Sequence, residues 1–92
     1  MEHNEYKIVA VRTKYSFSST TDEITDVKLS FDYVEPVSSV VNSIDYGSNY
    51  YYTDKLGLRA EVETVHPSYG DPYIRTKANY TKEDNLLSLP RF

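Results

Sequence analysis

His3 and His66 are the two imidazoles of this chain, and Glu61 and Glu63 are carboxylates at the spacing that puts side chains on one face of a strand. Imidazole and carboxylate together can ligate a metal, and two carboxylates in different environments can divide the work of acid and base. The spacing supplies neither arrangement. The histidines are far apart, cysteine is absent, and nothing sets Glu61 and Glu63 across a cleft from each other. Serine is abundant, but none sits in a nucleophile-elbow pattern, and three glycines form no phosphate loop. The sequence assigns no catalytic residue, no metal ligand and no cofactor, so an enzyme is the least favoured class.

Side chains suited to binding are more numerous. Tyr50, Tyr51 and Tyr52 put at least one ring on each face of a strand, where an exposed ring offers a contact for a protein or a stacked base and an inward ring is core. Asp22, Glu23, Asp26, Asp32 and Glu35 concentrate negative charge in one stretch of chain. Arg12, Lys14, Arg59, Arg75 and Lys77 form a basic stripe if alternate strand positions align, although Glu61 and Glu63 are obvious cross-strand partners for them. Arg75, Asn79, Asp84 and Asn85 form a second, polar set near the C-terminus, with a guanidinium for an anion and amides and a carboxylate for hydrogen bonds.

The elements that position these groups follow from periodicity. Tyr6 to Tyr15 is rich in β-branched residues and reads as a strand covered on both faces at Ile8 to Val11. Ser16 to Thr21 is a polar loop in which Phe17 is either an anchor or an exposed hook, with the anchor favoured. Val27, Leu29, Phe31 and Tyr33 alternate with polar residues as a half-buried strand. Ile24 is one residue out of phase, which predicts a bulge near Thr25 and Asp26. Val37, Val40, Val41 and Ile44 then draw one apolar stripe on a short helix, with Pro36 at its first position and Gly47 just past its end. Tyr50 to Thr53 and Leu58 to His66 read as a hairpin, and Tyr73 to Lys77 as a last short strand. The expected fold is α+β, an antiparallel sheet of about five strands with one helix packed on one face, in the order strand, strand, helix, strand, strand, strand.

Ninety-two residues make one domain, 1–92, with residues 1–5 frayed and 78–92 an ordered capped tail. Fourteen acidic against ten basic residues give a net charge of -4, which argues against direct nucleic-acid binding. The first residues carry neither a basic cluster nor an apolar run, so the expectation is a cytoplasmic protein with no membrane span. In the tail, Thr81 and Asp84 have the spacing of a capping box, Leu86, Leu87 and Leu89 can tuck a terminal turn against the sheet, and Pro90 ends it.

This tail also carries a likeness. Tyr73-Ile74-Arg75-Thr76, Asn79, Thr81, Asp84-Asn85-Leu86, Leu89-Pro90 and Phe92 resemble the ending of a prokaryotic and phage family known as domain of unknown function three-eight-nine-two. Ile8 to Arg12 and the Tyr-Tyr-Thr ahead of a glycine turn are similar to it as well, whereas Tyr15 to Tyr33 is long and Ala78 stands where the family has Pro or Asp. The resemblance implies a small domain with no assigned chemistry and no catalytic residues to transfer.

Three functions from different classes are consistent with these residues. The first is a non-enzymatic binding module, a phage or mobile-element inhibitor in the anti-CRISPR manner. It would engage a host nuclease or other defence protein through Tyr50, Tyr51 and Tyr52, with Asp22, Glu23, Asp26, Asp32 and Glu35 placed where a phosphate backbone would lie. The second is a small-ligand or nucleotide sensor using Arg75, Asn79, Asp84 and Asn85. The third is a single-strand binder on the tyrosine-bearing sheet, recognisable by steep salt dependence. An open sheet face could also pair two copies as a homodimer.

Overall fold

The computed structural model describes residues 4–77 and 85–92. Six strands, β1 (Glu5–Thr13), β2 (Ile24–Leu29), β3 (Val34–Pro36), β4 (Asn49–Thr53), β5 (Arg59–Val65) and β6 (Tyr73–Thr76), form one sheet in the order β3-β2-β1-β4-β5-β6. One helix, α1 (Val37–Asp45), follows β3, and two 3₁₀ turns, Thr21–Glu23 and Asn85–Ser88, complete the described elements. The α+β class and the single helix are as expected. The sheet differs in having a sixth strand, β3, and in being mixed, because β1 and β4 run parallel. A helix that crosses a sheet face delivers the next strand in the direction of the one before it, which an order of elements alone does not show.

The stripe Val37, Val40, Val41 and Ile44 faces the sheet, with the three valines buried and Ile44 partly so. Pro36 stands one residue earlier than predicted, capping α1 with extended backbone (φ -68, ψ 149) while closing β3. The far end is a Schellman motif, in which the Ser48 amide donates to the Ser43 carbonyl at 2.9 Å and the Gly47 amide to Ile44 at 3.0 Å. Gly47 meets its φ of +107 at little cost because it has no Cβ.

The bulge foreseen in β2 is present. Arg12 pairs with Asp26 and Thr13 with Ile24, leaving Thr25 as the extra residue. A second irregularity leaves Val9 unpaired between Ile8 and Ala10, and this puts both Ile8 and Val11 on the core face opposite Leu29 and Val27. β2 ends at Leu29. Asp32 adopts φ +64, its amide donates to the Leu29 carbonyl at 2.9 Å, and the chain reverses into β3. Phe31 and Tyr33, expected on the buried face, are therefore 60% and 53% exposed. Phe17 does not anchor its loop either. It is 81% exposed and stacks on Tyr15 with ring centroids 5.5 Å apart.

At the N-terminus Glu5 opens β1, and the Asn4 carbonyl accepts from the Asn49 amide at 2.8 Å, so of the stretch expected to fray, residues 4 and 5 join the sheet. β1 pairs with β4 at Glu5, Tyr6 and Lys7, and further along the C-terminal tail takes the place beside it. The Val11 amide donates to the Pro90 carbonyl at 2.9 Å and the Phe92 amide to Val11 at 3.2 Å. Leu86 is fully buried, with Leu87 and Leu89 packed against the same core. The capping box at Thr81 and Asp84 lies outside the described residues, and of the tail expected over 78–92 residues 85–92 are described. No described helix is long and apolar enough to cross a membrane.

Candidate binding site

The tyrosine triplet is divided by the strand period. Tyr50 and Tyr52 are 2% and 1% exposed and belong to the core, where the Tyr52 hydroxyl shares a 2.7 Å hydrogen bond with that of Thr76. Neither is a surface contact, which corrects the expectation that all three tyrosines meet a partner. Tyr51 turns outward, and its ring lies 4.0 Å beneath the Arg59 guanidinium, which pairs with Glu61 at 2.7 Å and also with Glu5.

The acidic residues are not gathered into one row. Asp22 and Glu23 sit in the turn that precedes β2, and Asp32 in the turn that follows it. Asp26 accepts a 2.9 Å hydrogen bond from the Thr25 hydroxyl and lies 4.0 Å from Arg12. Glu35 is beside Val27 in register, on the inward side of the sheet, away from Asp26. Arg75 pairs with Glu63 across β5 and β6 at 2.7 Å. Its proposed companions Asn79 and Asp84 lie outside the described residues, and Asn85 is described by its backbone in the final turn. His66 contacts Asp45 at 2.9 Å, and His3 lies outside the described residues. Among the described residues no group of three or more His, Cys, Asp or Glu is placed to hold a metal.

What the structure does bring together is aromatic. Tyr6 and Tyr50 are register partners in the parallel pair, so their rings share the inward face with centroids 5.1 Å apart. The Tyr50 hydroxyl donates to the Glu35 carboxylate at 2.6 Å. Burial raises the Tyr50 pKa well above its ordinary value, the hydrogen bond to Glu35 raises it further, and Ser43 of α1 partly offsets both. The phenol therefore keeps its proton and remains a donor to Glu35. Beyond them the reversal at Asp32 carries Phe31 and Tyr33, stacked at 5.9 Å between centroids. Tyr6, Phe31, Tyr33 and Tyr50, with Glu35, Ser43 and Leu29, line one open cavity of about 300 Å³.

Among the described residues, two further concavities flank the sheet. One, about 430 Å³, separates the β4–β5 hairpin at Asp54 to Leu56 from the tail at Ser88 to Pro90. The other, about 740 Å³, lies between the Thr21–Glu23 turn, the start of α1 and the loop around Tyr69, and it mixes Lys14 with Asp22, Glu23 and Asp71. The aromatic cavity differs from both in joining several rings to a single carboxylate. Periodicity does not reveal it, because Phe31 and Tyr33 continue the alternation of β2, and Asp32, a residue that tolerates the left-handed region, is the available sign of a turn.

A family model described as "Protein of unknown function (DUF3892)" matches residues 7–90. Neither the curated proteins nor the solved structures contain a match to the chain.

Proposed function

Because the chain belongs to this family of unassigned function, we propose from its surface that it is a non-enzymatic module that binds a protein partner at the aromatic end of the β2–β3 hairpin. The observation that carries this reading is the exposed, stacked pair Phe31 and Tyr33 on the rim of a cavity floored by buried Tyr50. Aromatic side chains are enriched where protein interfaces lose water, and a turn closed by hydrogen bonds from the Asp32 amide to Leu29 and from the Leu29 amide to Tyr33 presents these two together. A net charge of -4 favours a basic partner by long-range attraction. In its most specific form the partner is a nucleic-acid-binding defence protein of a host, and the chain is its inhibitor. Asp22, Asp26 and Asp32 are spread over both ends and the middle of β2, which gives no phosphate-like row, so the rings rather than the carboxylates carry the contact in this reading.

The test is affinity capture from nuclease-treated host lysate with three baits: the native chain, the Phe31→Ala/Tyr33→Ala double variant, and the Asp22→Asn/Asp26→Asn/Asp32→Asn triple variant. The expected result is a stoichiometric protein that the native and triple baits retain and the aromatic variant loses. Retention by the aromatic variant with loss by the triple variant would reverse the assignment in favour of charge.

A further inference from the structure

The cavity beneath Phe31 and Tyr33 has a lining that selects for charge as well as shape. Tyr6, Phe31 and Tyr33 bring three rings to its wall above a floor formed by buried Tyr50, and an aromatic ring carries negative quadrupolar potential on its face. Glu35 adds a carboxylate, and among the described residues the lining holds no Lys, Arg or His. Anions and plain neutral groups gain nothing special in such a place. A cation with apolar substituents gains from the rings, from the carboxylate and from burial of its methyl groups.

We propose that this cavity is an aromatic cage for a quaternary ammonium group, the chemistry shared by free choline-like cations and trimethylated lysine side chains. The proposal deepens the reading above, since it rests on this end of the hairpin being the binding surface and states what enters it. Each lining residue has a part. Tyr6 and Tyr50 meet on the inward face, fixed by the parallel register of β1 and β4 and by the core around Tyr50. Phe31 and Tyr33 are the exposed rings that a ligand desolvates on entry. Tyr50 orients Glu35 through their 2.6 Å hydrogen bond, so the carboxylate is fixed before a cation arrives. A trimethylated ammonium keeps its full charge while shedding the tightly held water of a primary ammonium, and so loses less on leaving solvent for the rings. The cavity volume of about 300 Å³ accommodates such a head group together with part of its stem.

The experiment is titration of the purified chain, followed by isothermal calorimetry and by amide resonances, with choline, with its neutral isostere 3,3-dimethylbutan-1-ol, and with matched peptides carrying trimethyllysine or unmodified lysine. Saturable choline binding is expected, at least tenfold tighter than the isostere, with shifts at Phe31, Tyr33 and Ser43. Phe31→Ala and Tyr33→Ala, both at exposed positions, should each weaken it at least fivefold while leaving the circular dichroism unchanged, and Glu35→Gln should do so as well. Tighter binding of the trimethyllysine peptide than of choline places the cation on a protein. The reverse order makes it a free solute, and both support the cage. Equal affinity for the isostere, or no saturation by either cation, overturns it. Failure of choline while partner capture still depends on Phe31 and Tyr33 removes the cage and keeps the docking surface. Choline binding with capture indifferent to that pair removes the docking surface and keeps the cage.

Discussion

Replacing Leu86 by Ala tests whether the C-terminal turn is part of the core or an appendage laid on it. Leu86 is fully buried in the main cluster, and three residues beyond Leu87 the chain bonds to β1 through Pro90 and Phe92 on either side of Val11. Removing a leucine side chain from such a site costs the transfer energy of the lost atoms plus that of the cavity, about 2.7–5 kcal/mol. A domain of 92 residues is stable by roughly 5–14 kcal/mol, at about 0.05–0.15 kcal/mol per residue, so about a fifth of the total or more is at stake. With a urea slope of about 1.5 kcal/mol/M, the unfolding midpoint should fall by roughly 2–3 M. Leu56→Ala is the control, since Leu56 is 83% exposed in the β4–β5 turn and should move stability by less than about 0.5 kcal/mol. Circular dichroism in urea on both variants and the native chain supplies the comparison. A midpoint for Leu86→Ala within about 0.3 M of that for Leu56→Ala would refute the reasoning, because the tail would then be docked outside the cooperative unit.

Two further outcomes follow from particular contacts. The Tyr50 pKa is raised above its ordinary value of 10.0, chiefly by burial. An unfolded chain then releases this proton near pH 10 while the folded chain holds it, so this contribution to stability is complete below pH 10 and declines above it, by at most about 1.4 kcal/mol per pH unit. Tyr50→Phe should flatten that alkaline decline by one group and, by removing the donor to Glu35, lower stability at neutral pH by about 1–3 kcal/mol. An unchanged alkaline slope in urea titrations would contradict the assignment. At Asp32, whose φ is +64, Asp32→Gly should leave stability equal or raise it by up to about 1 kcal/mol, whereas Asp32→Val should lower it by more than that. Thermal melts ranking Val at or above Gly would show that the turn is not held in the left-handed region.

The elements written in consecutive residues are legible in the amino-acid sequence alone. The stripe of Val37, Val40, Val41 and Ile44 is the buried face of α1, the phase slip at Ile24 is a bulge at Thr25, and Leu86, Leu87 and Leu89 pack the tail as their spacing suggests. Each of these depends on a repeat within a few positions, where the side chains themselves set the period. The failures share the opposite property. The alternation from Val27 to Tyr33 runs unbroken through a reversal, because two-residue periodicity records which side chains are apolar and not where one backbone torsion changes sign at Asp32. The parallel pairing of Tyr6 with Tyr50 depends on the path of α1 over the sheet, which neither strand encodes by itself.

The candidate cavity inherits both difficulties. Its floor needs the parallel register of β1 and β4, its rim needs the reversal at Asp32, and its carboxylate needs Glu35 to sit opposite Val27, on the inward side of an edge strand three residues long. In sequence Glu35 is one acid among several before Pro36. In the fold its neighbours on the outward side are Val34 and Pro36, while its own side chain meets Tyr50. A shift of one residue in the pairing of β3 with β2 would exchange those faces and remove the carboxylate from the rings. Register between strands, rather than composition, therefore decides whether this chain owns a cation site, and a variant that slips β3 by one residue should lose choline while keeping every lining residue in its sequence.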